Sequence, residues 1–201
     1  MMKERTELTT LALSGLLDFW LGKCSGGTPP VSSTIAPADL RPWKDNIVIF
    51  EVIGDDDFVY SYYGKALAEA WGHSRLGHTL DALPDEQRAI LAAEYEAVLR
   101  ERLPVARVYT GNFDGSRRTF ERLVLPLSSD GATVDKLLVA AYELTGAAAA
   151  TPNAEPRVVE GAAPAAAPAD TAAPPAGDAA ASTSTDTAPA PAATQTSGAP
   201  A

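Results

Sequence analysis

A single cysteine, Cys24, stands in 201 residues. No intrachain disulfide can form, which fits a reducing cytoplasm and leaves folding to the apolar core. Histidine is nearly as scarce, with only His73 and His78, so a metal centre built on imidazoles has little to draw on. Asp55, Asp56 and Asp57 read as a solvated turn, because no second ligand cluster stands at metal spacing; no metal is expected. No run of ~20 apolar residues exists to span a membrane. The apolar stretch Leu8–Leu17 follows Glu4 and Glu7, ends at Asp18, and is followed by Lys23 just before Cys24. Neither a signal peptide nor a lipoprotein cleavage site is expected there. A glycine-rich phosphate cradle is missing, as is a set of nucleophile, base and orienting group.

Positive charge is also short. The formal charge is −10, a field that repels phosphate backbones and anionic lipid, so neither nucleic acid nor membrane is an expected partner. Aromatic residues are absent from Ala147 to Ala201. Of those 55 residues, 23 are alanine and nine are proline, and the only sizeable aliphatics are Val158 and Val159. Such a segment buries too little apolar surface to offset its ordering entropy, and residues 147–201 are expected to form a disordered tail.

The rest of the chain carries strong patterns. Leu8, Leu11, Leu16 and Phe19/Trp20 recur at helical spacing, which predicts an amphipathic helix over Glu7–Leu21. Asp45–Ile53 reads as a buried strand and Phe58–Tyr63 as its hairpin partner. Lys65–Trp71 is a short helix, and Leu80–Leu83 a helical turn. A longer helix opens at Pro84, with Asp85 and Glu86 favouring its N-terminus, and stops before Pro104. Three strands follow, Val105–Phe113, Arg117–Leu127 and Val134–Leu144, joined at Asp114-Gly115 and Asp130-Gly131. Asp-Gly between β-prone runs signals a tight hairpin. The expected organisation is a flanking helix over 1–24, an α+β domain over 25–146 and the tail over 147–201.

Several segments, in this order, carry a resemblance: Leu16-Leu17-Asp18-Phe19-Trp20, Ile35-Ala36-Pro37-Ala38-Asp39-Leu40, Tyr60-Ser61-Tyr62-Tyr63-Gly64-Lys65-Ala66-Leu67, Trp71-Gly72, Leu76-Gly77 and Phe120-Glu121-Arg122-Leu123-Val124-Leu125-Pro126-Leu127. From about Leu13 to Leu144 the chain resembles bacterial PAS domains found as small stand-alone proteins. The resemblance implies a five-stranded antiparallel sheet with a helical excursion on one face. It also implies a sensory module, a pocket between sheet and excursion, and flanking helices that dimerise and pass the signal on.

Pocket candidates are Tyr60, Tyr62, Tyr63, Trp71, Tyr95, Tyr109 and Arg122, whose rings could equally fill a core. Arg117, Arg118 and Arg122 could meet an anion, or form a charged hairpin. Flavin photochemistry in this family uses a cysteine beside the excursion, where this chain has none. Haem ligation uses a histidine on the long helix, and His73 and His78 lie outside it, so no cofactor is expected. The alternatives are a small enzyme using His73 or His78 with an acid as general base, and a ligand-free scaffold. No output domain follows Leu144, so signalling is expected in trans through an unidentified signalling protein. A homodimer is expected through Leu13, Leu16, Leu17 and Trp20, because the first helix has more apolar surface than one stripe requires; the competing reading is that this helix lies wholly across the sheet of its own domain.

Overall fold

Five runs rich in β-branched and aromatic residues become five strands, and a sixth comes from a segment whose composition argued against structure. The computed structural model describes residues 8–54, 57–113, 116–146, 148 and 155–159. Helix α1 is Leu11–Lys23; β1 is Ile47–Ile53 and β2 Asp57–Tyr63. The excursion holds α2 (Lys65–Trp71), a single turn at Leu80–Ala82 and α3 (Asp85–Glu101). Strands β3 (Val105–Phe113), β4 (Ser116–Ser128), β5 (Val134–Leu144) and β6 (Arg157–Val158) complete the chain. The sheet order is β2-β1-β5-β4-β3-β6, with every neighbouring pair antiparallel.

Both faces of this sheet are covered. α2 and α3 lie on the inner face, over Val48, Phe50, Phe58, Tyr60, Phe120, Val124 and Val139. α1 lies on the outer face, over Ile47, Leu123, Leu125, Leu127, Leu138 and Ala140. That double cover explains why β4 is buried continuously from Phe120 to Ser128 instead of at alternate positions.

Three polar contacts hold α1 in place. The Glu121 carboxylate on β4 accepts the backbone N–H of Thr9 and of Thr10, at 2.8 and 2.7 Å, and so sets a negative charge at the helix N-terminus, where no side chain caps it. Trp20 Nε1–H donates to the Pro126 carbonyl at 2.9 Å, and Trp43 Nε1–H to that of Ala12 at 2.7 Å.

This arrangement corrects the expected dimer face. Leu13, Leu16 and Trp20 are at most 1 % exposed, packed on the domain's own sheet, and Leu17 is half-buried beside them. The outer sheet face is as apolar as the inner one, and α1 is its cover. The surplus apolar surface of α1 is at Leu11, which is 88 % exposed.

The expected disordered tail needs one amendment too. Val158 pairs with Val105 and Arg157 with Ala106 at the β3 edge. Val159 N–H donates to the Pro104 carbonyl, and its side chain is buried in the outer-face core. A chain ended at Gly146 loses this cover, and its melting temperature is expected to fall by roughly 5 °C relative to a chain ended at Glu160. Equal melting of the two would show that β6 adds nothing. Apart from 148 and 155–159, the tail lies outside the described residues, as do Asp55, Asp56 and the Asp114-Gly115 turn.

Gly64 is a fixed point of the excursion. Its N–H donates to the Ile47 carbonyl at 2.8 Å. A Cβ there would sit 2.5 Å from the Asp45 carbonyl oxygen and 2.8 Å from that of Ile47. Both neighbours are backbone and cannot swing aside. Gly64→Ala is therefore expected to lower stability by about 1–3 kcal/mol in urea unfolding, and an unchanged midpoint would refute this close approach.

Candidate functional site

On the inner face, β3 presents Val105, Arg107 and Tyr109, and β4 presents Phe120, Arg122 and Val124. Arg107 and Arg122 are register partners. Two like charges directly opposite each other destabilise a sheet. The compensation comes from above: the stripe of α3 that faces the sheet, Leu91, Tyr95 and Val98, also contains Glu94. Its carboxylate bridges the two arginines, with Arg122 Nη2 2.6 Å from Oε1 and Arg107 Nη1 3.4 Å from Oε2. The Glu94 side chain is only 2 % exposed and that of Arg122 9 %.

The account of charge and hydrogen bonds does not close within this cluster. Two guanidiniums share one carboxylate. The Nε–H groups of Arg107 and of Arg122 are buried and meet no acceptor among the described residues. Aromatic faces supply part of the compensation: the Arg122 guanidinium lies 5.2 Å from the Tyr109 ring centroid and 5.8 Å from that of Tyr95. Burial works against the Arg122 charge, but Tyr95, Glu94 and Tyr109 outweigh it and hold the group above the ordinary arginine range.

Rings pack around the cluster. Phe50 lies 4.3 Å from Tyr60 and 5.0 Å from Tyr95, Phe58 lies 5.4 Å from Tyr95, and Tyr60 5.4 Å from Tyr63, centroid to centroid. Burial pushes the phenols of Tyr60, Tyr95 and Tyr109 above their ordinary range, and raises Tyr63 to about 12 against the opposing pull of Arg75.

Of the pocket candidates, the structure brings Tyr60, Tyr63, Tyr95, Tyr109 and Arg122 together on this face. Trp71 is half-buried at its rim, with the Arg75 guanidinium 5.8 Å over its ring. Tyr62 does not belong to it. The pairing slips between Ile49 and Phe50, which face Tyr62 and Tyr60, so Ser61 is an extra residue on β2. The bulge inverts the alternation: Tyr63 turns inward, and Tyr62 is half-exposed and donates its hydroxyl to the Lys44 carbonyl.

Glu94 and Arg107 were not singled out from sequence. A signal existed: the only acid within the apolar stripe of α3, and an arginine at an inward position of β3 opposite another on β4. Arg118, by contrast, is paired with Glu143 at 2.6 Å.

His73 and His78 are exposed in the loop after α2, and among the described residues neither imidazole meets a carboxylate. Nor do the described residues contain a group of three or more potential metal ligands. Cys24 lies at the end of α1 against the outer-face core, its thiol pushed up to about 11 by burial. It is across the sheet from the excursion, out of place for a flavin adduct.

A family model described as the PAS fold matches residues 44–149. The chain belongs to the PAS family. No curated protein matches it in sequence. Among solved structures, a light-oxygen-voltage domain studied with a flavin analogue is 15% identical, with a TM-score of 0.43 over 57% of this chain and 89% of that one. The VqmA dimer of Vibrio cholerae is 19% identical, with a TM-score of 0.42 over 55% of this chain and 52% of that one. An RNA-binding light-oxygen-voltage receptor is 20% identical, with a TM-score of 0.40 over 61% of this chain and 37% of that one. The chain thus spans about half of VqmA and little more than a third of the RNA-binding receptor. PAS domains are sensory modules that bind ligands or partners, and the fold is typically non-enzymatic. Among the described residues, no helix is long and apolar enough to cross a membrane.

Proposed function

We propose that this PAS domain is a cytoplasmic sensory and interaction module. It takes up a small ligand bearing acceptor oxygens at the Glu94–Arg122–Arg107 cluster and passes the change to a partner protein. The observation that carries this reading is the unclosed account of the cluster. A buried ion pair is rarely the most stable filling for a core, and buried donors without acceptors call for a missing partner. Here both stand in the inner face of a PAS sheet, under α3. An acceptor arriving at the two Nε–H groups competes with Glu94 for Arg122 and so loosens or tightens α3 against β3 and β4. α3 is then the element that a partner reads. The residues present do not support haem or a flavin adduct, and the reading uses neither.

Native mass spectrometry and an absorption spectrum of the gently isolated full chain test it. A small-molecule adduct without a visible band is expected, absent from Arg122→Met. A bare chain, or an adduct retained in Arg122→Met, overturns the assignment. A haem or flavin spectrum overturns it as well.

A further inference from the structure

Arg102 follows the last residue of α3 as its C-cap, and its φ of 59° puts it in the left-handed region. No other described non-glycine residue is there. Glycine usually takes this position after a helix, because a Cβ is crowded in it. A residue that keeps such a conformation points to a functional constraint. At this turn Arg102 forms part of the wall of a cleft of about 570 Å³. The other walls include Val52 of β1, Glu96, Leu99 and Arg100 of α3, Thr133, and Val134 at the start of β5, so two arginines stand against one carboxylate there.

The Arg102 side chain is incomplete as it stands. Its Nε and Nη2 are buried and meet no acceptor among the described residues. Buried donors left in this state are destabilising. These two atoms form the side-on edge of the guanidinium, whose parallel N–H bonds match the two coplanar oxygens of a carboxylate. The neighbouring loop has no backbone donors to add, because the Ala132 and Thr133 N–H groups already donate to Asp130 Oδ1. Arg100 is held by Glu101 at 3.1 Å. Arg102 is therefore the anchor, and Val52, Leu99 and Val134 offer an apolar path beside it.

We propose that this cleft binds a small organic carboxylate with an apolar body, gripped side-on by Arg102. Both Nε and Nη2 are buried as the side chain stands, so binding requires Arg102 to change rotamer, which its several side-chain torsions allow. This site is at the C-terminal end of α3, about two helical turns beyond Glu94, and does not depend on the Glu94–Arg122–Arg107 cluster. A phosphate would satisfy the charge but not the planar two-oxygen fit.

Isothermal titration calorimetry of the full chain with hexanoate, benzoate and inorganic phosphate, at constant ionic strength, tests this. Hexanoate or benzoate is expected to bind at least about tenfold more tightly than phosphate. Arg102→Lys, which keeps the charge but loses the fork, should weaken the carboxylate at least about tenfold. Arg102→Gly should abolish binding while leaving the melting temperature unchanged or higher, because glycine suits the left-handed turn. Arg122→Met should leave the affinity unchanged. No binding of either carboxylate, phosphate binding as tightly, or affinity surviving in Arg102→Gly would overturn the proposal. Affinity lost in Arg122→Met would move the carboxylate to the inner cluster and overturn it too.

Discussion

Glu94→Ala is expected to lower folding stability by about 3–5 kcal/mol, the usual consequence of removing one partner from a buried ion pair. The magnitude follows from what remains. Without the carboxylate, Arg122 and Arg107 stay register partners on the inner face, two buried positive charges with nothing between them. Replacing the whole triad, as Glu94→Leu with Arg107→Met and Arg122→Met, removes the charges together and is expected to be neutral or stabilising by about 1–4 kcal/mol. Urea unfolding of the two variants beside the parent chain measures both effects. A loss below about 1 kcal/mol in Glu94→Ala would mean that the pair behaves as a surface ion pair, against its burial.

The same ring cluster predicts an alkaline limit to stability. Tyr60 and Tyr95 are buried, and their phenols are held above the ordinary range by that burial. The folded pKa is raised, so the stabilisation is complete below the unfolded value of about 10. Above it, the unfolded chain releases protons that the folded chain keeps. Stability then falls as pH rises towards the folded values, by about 1.4 kcal/mol per pH unit for each such tyrosine. Tyr60 and Tyr95 together give a loss of about 2 kcal/mol between about pH 10 and 11, because the unfolded phenols are only half ionised at its lower end. The half-buried Tyr63, raised to about 12, and Tyr109 act in the same direction. Urea midpoints across this range, with phenolate absorbance recorded in the folded chain, check the claim. Folded-state ionisation near pH 10 with unchanged stability would contradict it.

The sheet was legible because its strands carry local signals: continuous β-prone runs, Asp-Gly turns, and the break at Pro104. Composition argued against structure throughout the tail and was wrong at one point among the described residues. Val158 and Val159 are its only sizeable aliphatics, and that pair marks the segment that adds to the β3 edge. The face of α1 was misassigned because its stripe was weighed without the apolar outer face of β4 and β5 that needs cover. At the site, single residues were readable and their relations were not. Tyr60, Tyr95, Tyr109 and Arg122 converge, but Tyr62 leaves the group through a one-residue bulge that no alternation pattern reveals. Glu94 stands out in sequence as an acid within the apolar stripe of α3, but its pairing with Arg107 and Arg122 emerges only when register places Arg107 opposite Arg122 and sets α3 above them.

The triad-replaced variant tests the central claim most directly when its stability and its ligand content are read on one sample. If the charges are kept for sensing and not for folding, the variant unfolds in urea at the parent's midpoint or above it, and its native mass spectrum lacks the small-molecule adduct seen on the parent. A variant that fails to fold, or one that folds and retains the adduct, would contradict the account.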